Sequence, residues 1–110
     1  YLTNNFYLLK KRPPTGRIEE IVSSEVAMLV KAHSTELIGR IARAERKRQG
    51  LRQDDLAAMI GSSHVFLRAV EQGKPGVQLG KVLQALEELG ITVYLDVAKE
   101  SAIAITGQSA

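Results

Sequence analysis

Apolar residues fall into a helical rhythm along most of this chain. Ile18, Ile21, Val22, Val26, Leu29 and Val30 recur at three- and four-residue spacing, with Glu19, Glu20 and Glu25 between them. That spacing predicts an amphipathic helix over 18–32, and acids in its first turn suit the helix dipole. His33-Ser34-Thr35 interrupts the pattern, and Ser34 or Thr35 can cap a following helix. This second helix is expected over 36–49, with Leu37, Ile38, Ile41 and Ala42 as its apolar stripe and Gly50 at its end. A short helix over 53–59 turns Leu56 and Ala57 inward, followed by Ile60. Gly61-Ser62-Ser63 makes a turn, and Ser63 caps a helix through Gln72 with Leu67 and Val70 inward. After the loop Gly73-Lys74-Pro75-Gly76, a last helix over 79–89 aligns Leu79, Val82, Leu83, Leu86 and Leu89, and Gly90 stops it.

Near the end the rhythm changes from helical to alternating. Ile91-Thr92-Val93-Tyr94-Leu95 is β-branched and alternates, which predicts a strand over 91–95. Residues 102–106 form a weaker candidate strand. One strand is not stable alone, so 91–95 needs a partner, either the same strand of a second copy or 102–106 of its own chain. At the other end, residues 1–17 read as an arm in which Phe6 to Leu9 can pair as a strand before Pro13, Pro14 and Gly16 break the chain. The chain thus divides into an N-terminal arm and helix over 1–35, a domain over 36–97 and a tail over 98–110.

Length and composition narrow the class. The 110 residues suit one domain, and with 5% aromatic residues and no Trp its core must be aliphatic. There is no Cys, which excludes disulfides, thiolate zinc sites and cysteine nucleophiles and fits a reducing cytoplasm. No apolar run is long enough to span a membrane, and Lys10, Lys11 and Arg12 directly after Leu8-Leu9 do not suit a signal peptide. The net charge is +3, but its distribution says more. Arg40, Arg43, Arg46, Lys47, Arg48 and Arg52 crowd one stretch against the single acid Glu45, whereas Glu87, Glu88, Asp96 and Glu100 face only Lys99 further on. A clustered basic patch is the footprint expected of a polyanion-binding surface. The bland alternative is a solvated helix face.

Two short helices joined by a glycine-containing turn make a helix-turn-helix. Here Gln53 opens the first, Ala57 must be small where the helices cross, Gly61 sits where a left-handed backbone is required, and Glu71 and Gly73 close the second. The stretch Gly50-Leu51-Arg52-Gln53-Asp54-Asp55-Leu56-Ala57, then Gly61-Ser62-Ser63 and Glu71-Gln72-Gly73-Lys74-Pro75, resembles the Xre family of phage-repressor and Cro type. The continuation from Val77 to Gly90 and the strand after it resemble the HipB-like antitoxin branch, and the likeness covers about 37–97. The fold class it implies is mainly α: a five-helix lambda-repressor-like domain with a C-terminal dimerising β-strand, here with an extra N-terminal helix. Two positions depart from the family. Ser62 replaces the usual Val of the turn, and Phe66 stands where Thr or Ser is commoner, which removes a hydroxyl from phosphate contact.

The resemblance and the motif's docking geometry assign roles. The second short helix enters the major groove, so His64, Val65, Arg68 and Ala69 are the candidate base readers. Arg68 can be bidentate to guanine, and Val65 or Ala69 can meet a thymine methyl. Gln53 corresponds to the family's phosphate-contacting glutamine. Ser63, Arg52, Lys74, Arg43 and Lys47 are further backbone candidates, which position the protein without reading sequence. Ser63 has a second reading as an N-cap alone, and Arg48 as a solvated charge. Arg46 is basic, but its family position pairs with Glu71 as a structural brace. His64 is not read as a metal ligand, because the only other histidine, His33, is far off in sequence. A phosphate-loop reading around Lys81 fails: Pro75 stands where the first glycine belongs, and Val82 follows the lysine.

In HipB-like proteins the strand pairs between subunits, so Ile91, Val93 and Leu95 are the expected dimer contacts. A two-fold dimer reads palindromic double-stranded DNA with half-sites about one helical turn apart. The function expected is a cytoplasmic homodimeric repressor, the antitoxin partner of a HipA-like serine/threonine kinase toxin. A phage-type or metabolic Xre regulator without a toxin, and an interaction module that has lost DNA binding, are the alternatives. No catalytic constellation, cofactor or metal site is expected. The apolar stripe of 18–32 has three destinations open to it: the dimer interface, the chain's own domain, or a toxin.

Overall fold

A computed structural model describes residues 27–107, which carry five helices: α1 (Thr35–Arg48), α2 (Gln53–Met59), α3 (His64–Glu71), α4 (Leu79–Glu88) and α5 (Lys99–Thr106). α1 starts where Ser34, in extended backbone, accepts a hydrogen bond from the Leu37 N–H at 3.1 Å. Glu36 lies in its first turn and Arg46, Lys47 and Arg48 in its last, both placed favourably for the helix dipole. Helices α1 to α4 all end in the same corner. The amide two residues past the last turn reaches back to a carbonyl five positions earlier: Leu51 to Arg46, Ser62 to Ala57, Lys74 to Ala69 and Ile91 to Leu86, at 2.8–3.0 Å. A glycine precedes each of those amides, as the left-handed step of this cap requires.

The core is aliphatic. Leu56 of α2, Leu67 of α3 and Leu89 at the end of α4 are fully buried, with Ala42, Ala57, Ile60, Val70, Val82, Ala85 and Leu86 around them. Ile38, Leu51, Phe66, Val77 and Ile91 close the cluster from the outside. α1 is held at both ends by side chains of its own. At its start Thr35 Oγ1 donates to the Gly73 carbonyl at 2.7 Å, and just past its end Gln49 Nε2 donates to the Leu89 carbonyl at 2.8 Å. Between these clamps Gly39 lies against the end of α3. A β-carbon there would collide with the Val70 carbonyl oxygen and sit 2.9 Å from that of Glu71.

Three expectations are corrected. No helix extends over 27–33, and the rest of the expected 18–32 helix, like the arm before it, lies outside the described residues. Met28 and Val30 are exposed and Leu29 is half-buried, so an apolar stripe there is covered only in part, and a helix end with so little tertiary packing is marginal in water. Residues 91–95 form no strand; there is no strand among the described residues. Val93 and Leu95 are exposed, and the described residues offer them no ladder partner. Residues 102–106 are not a strand either but the end of α5, which also removes them as an intrachain partner for 91–95. The alternation Ala-Ile-Ala-Ile imitates a strand, yet alanine favours helix and Gly107, at φ 73°, supplies the helix stop.

Candidate nucleic-acid interface

α2, the turn and α3 form the helix-turn-helix. Gly61 takes φ +64°, a left-handed step at which a side chain would be strained. Ser63 caps α3, its Oγ accepting from the Phe66 N–H at 3.2 Å. Leu67 and Val70 then face the core, which turns His64, Val65 and Arg68 outward; all three are exposed, and Ala69 is half-buried beside them. These four lie one turn apart in pairs, 64 with 68 and 65 with 69, and so share one outward surface.

Behind that surface stands a buried ion pair. Arg46 of α1 grips Glu71 at the end of α3 through Nε to Oε2 at 2.6 Å and a second nitrogen to Oε1 at 2.9 Å. Its remaining terminal nitrogen donates to the Leu51 carbonyl at 2.8 Å. Gln53, the first residue of α2, donates from Nε2 to Glu71 Oε1 at 3.0 Å. One carboxylate therefore holds α1, α2 and α3 together. Burial pushes the Glu71 carboxyl upward, but the hydrogen bonds from Arg46 and Gln53, with the charges of Arg46 and Arg43, outweigh it and hold the group below its ordinary value. The hydrogen bonds to Glu71 raise Arg46 against the opposing effect of burial. Bidentate geometry of this kind fixes orientation as well as charge.

The backbone candidates fall into two groups. Arg43 joins the brace from outside, 4.0 Å from Glu71 Oε1 with its side chain 57% exposed, and Lys47 lies one turn further along α1, exposed. Gln53 belongs to this group through Glu71. Arg52 instead turns to its own helix and pairs with Asp54 at 3.1 Å, both side chains mostly exposed, while its N–H donates to Asp55 Oδ2. Exposed pairs of this kind contribute little and open readily. Lys74 is exposed just past α3. Arg48 pairs with Glu45 at 2.8 Å, a bond that holds the Glu45 carboxyl below its ordinary value. Ile91 packs on the core, and Val93 and Leu95 are exposed.

Reasoning from sequence missed Gly39, Thr35 and Gln49, whose roles depend on chain segments far away in sequence. It also met Lys81 only as a rejected phosphate-loop lysine. Among the described residues no cluster of His, Asp or Glu is arranged to hold a metal ion, and no helix is long and apolar enough to cross a membrane.

Residues 43–95 match the family model described as helix-turn-helix. An uncharacterised HTH-type transcriptional regulator, y4mF of Sinorhizobium fredii (strain NBRC 101917 / NGR234), is 48% identical over 56 residues, covering 51% of this chain and 74% of that protein. The chain belongs to the Xre-type helix-turn-helix family. It is a transcriptional regulator of that type, and the family implies DNA binding. Among solved structures, a chain of the HipA-HipB-O2-O3 complex superposes with a TM-score of 0.59 at 21% identity, over 64% of this chain and all of that one. A chain of the HipB-O4 20mer complex gives 0.58 at 22%, over the same share. The Xre-type fold of this chain is thus HipB-like in its arrangement of helices.

Proposed function

We propose that the chain is a homodimeric repressor that reads a palindromic operator through α3, and that it is the antitoxin of a HipBA-like operon which it autoregulates. The observation that carries the reading is the outward surface of His64, Val65 and Arg68, mounted on a helix whose far end is locked by Arg46 and Glu71. A base-reading helix needs a rigid mount, because its contacts depend on sub-ångström placement.

Arg68 then reads guanine, Val65 and Ala69 meet thymine methyls, and His64 reaches the groove edge. Arg43, Lys47 and Gln53 hold one phosphate run, and Ser63, Arg52 and Lys74 add contacts around it. An amide carries two N–H donors, so Gln53 keeps one for phosphate while the other holds Glu71. Ile91, Val93 and Leu95 pair with the same residues of a second copy, which gives the 91–95 segment the ladder partner it lacks among the described residues. Residues 36–97 are the DNA-binding and dimerising domain, between a 1–35 arm and a 98–110 tail. Similarity to chains in HipB complexes supports a HipA-like kinase as partner, and the cytoplasm is the compartment where DNA and kinase meet.

The test is titration of labelled DNA from upstream of the chain's own gene, against scrambled DNA, across a salt series. Specific binding with a steep salt dependence is expected. Co-purification with the product of the adjacent gene tests the antitoxin half separately; specific binding without such a partner leaves an Xre regulator that has no toxin.

A further inference from the structure

Lys81, on α4, ends not in solvent but on the helix-turn-helix turn. Its Nζ lies 3.2 Å from the Ile60 carbonyl oxygen and 3.3 Å from that of Gly61. The cap of α2 already uses the carbonyls of Leu56, Ala57 and Ala58, through the amides of Ile60, Gly61 and Ser62. The carbonyls of Ile60 and Gly61 lie just beyond these, and the ammonium takes both. α2 has acids in its first turn but no basic residue in its last. The negative end of its dipole is therefore met by a cation delivered from another helix. Ser63, which caps α3, follows Gly61 by two residues, so the lysine holds the peptide units that aim the start of α3.

We infer that Lys81 is a positioning residue for DNA reading: its ammonium fixes the turn, and the turn fixes the entry angle of His64 and Val65 into the groove. The inference rests on the reading of α3 as the recognition helix. It differs from phosphate contact, which would act on all DNA sequences alike, and from general stabilisation, which would act on melting temperature alone.

Two variants of the full chain separate these roles. Lys81→Met keeps the aliphatic stem and removes the charge; Lys81→Arg keeps the charge. Well below the melting temperature, Lys81→Met is expected to weaken binding to the specific site about fivefold, the scale of losing one part-exposed charge-assisted hydrogen bond. Binding to random DNA and the salt slope should stay as in the wild type. Amide exchange at Gly61 and Ser62 should quicken in the free protein, and Lys81→Arg should restore both readouts. Equal loss on specific and random DNA with a shallower salt slope would overturn the inference in favour of a phosphate contact. Unchanged specific binding, or unchanged exchange at the turn, would overturn it outright. If the wild type binds no DNA, the proposed function fails by itself, and the exchange comparison still decides whether the lysine holds the turn.

Discussion

Arg46 and Glu71, 25 positions apart in sequence, meet in two parallel hydrogen bonds of 2.6 and 2.9 Å and are both buried. Removing one partner leaves a buried charge without its counter-ion, a change that costs about 3–5 kcal/mol in comparable sites. Arg46→Met is expected near the lower end, because Gln53 and Arg43 still face the carboxylate. Urea denaturation of the two proteins measures the difference; a loss well under 1 kcal/mol would mean that the brace contributes little.

The same carboxylate predicts an acid limb. Glu71 is held below its ordinary value of 4.5 in the folded chain. Its contribution is therefore complete above about pH 4.5 and disappears as pH falls through the lowered folded value. Glu71→Gln should be less stable than wild type at neutral pH and should show a flatter fall in stability below pH 4.5. Parallel pH profiles for the two proteins would contradict this.

Two glycines in helices should respond in opposite directions to alanine. Gly39 has no space for a methyl group because the Val70 carbonyl occupies it, so Gly39→Ala is expected to cost about 1–3 kcal/mol. Gly80 of α4 faces open space, and alanine there should stabilise by about 0.5–1 kcal/mol. Thermal melts of both variants give the comparison, and a neutral Gly39→Ala would show that the α1–α3 contact can move apart freely.

On DNA, Arg68 and Lys47 should fail differently. Arg68→Ala is expected to lose about 1–3 kcal/mol on the specific site and little on random sequence. Lys47→Ala should weaken both alike and lower the salt slope by about one unit. Equal losses on both DNAs for Arg68→Ala would remove it from the reading surface.

Dimerisation is tested at Leu95, which is 81% exposed in the single chain. Leu95→Lys should leave the melting of the helical core nearly unchanged while shifting sedimentation towards the monomer. A dimer of unchanged strength would place the interface elsewhere.

What the sequence revealed, and what it hid, follows from distance along the chain. Helices α1 to α4 were legible because each carries its own stripe, its own N-terminal signal or its own terminal glycine within a few residues, as Ser63, Leu67 and Gly73 do for α3. The Arg46–Glu71 pairing came through family resemblance; no spacing rule links positions so far apart. Gly39 looked like an indifferent helix residue, because the carbonyl that forbids a side chain there belongs to Val70 on another helix. Residues 102–106 were misread because alternating Ala and Ile satisfy a period of two and a run of helix formers equally well. The 91–95 pattern alternates as a strand does, but a strand also needs a second edge, and none is present among the described residues.

The two clamps on α1 also bear on how the chain folds. Every corner from α1 to α4 is closed by amides reaching back three to five residues, so those turns can form early and independently. Thr35 to Gly73 and Gln49 to Leu89 span 38 and 40 residues, and joining such distant segments requires the intervening chain to be ordered first. α1 is then expected to dock after α2, α3 and α4 and to leave before them. Stopped-flow measurements should find that Thr35→Ala and Gln49→Ala accelerate unfolding and hardly slow folding. Since α1 also carries Arg43, Arg46 and Lys47, its departure would strip the basic surface and the brace in one step, and a brief opening at this helix would release DNA before the rest of the domain came apart.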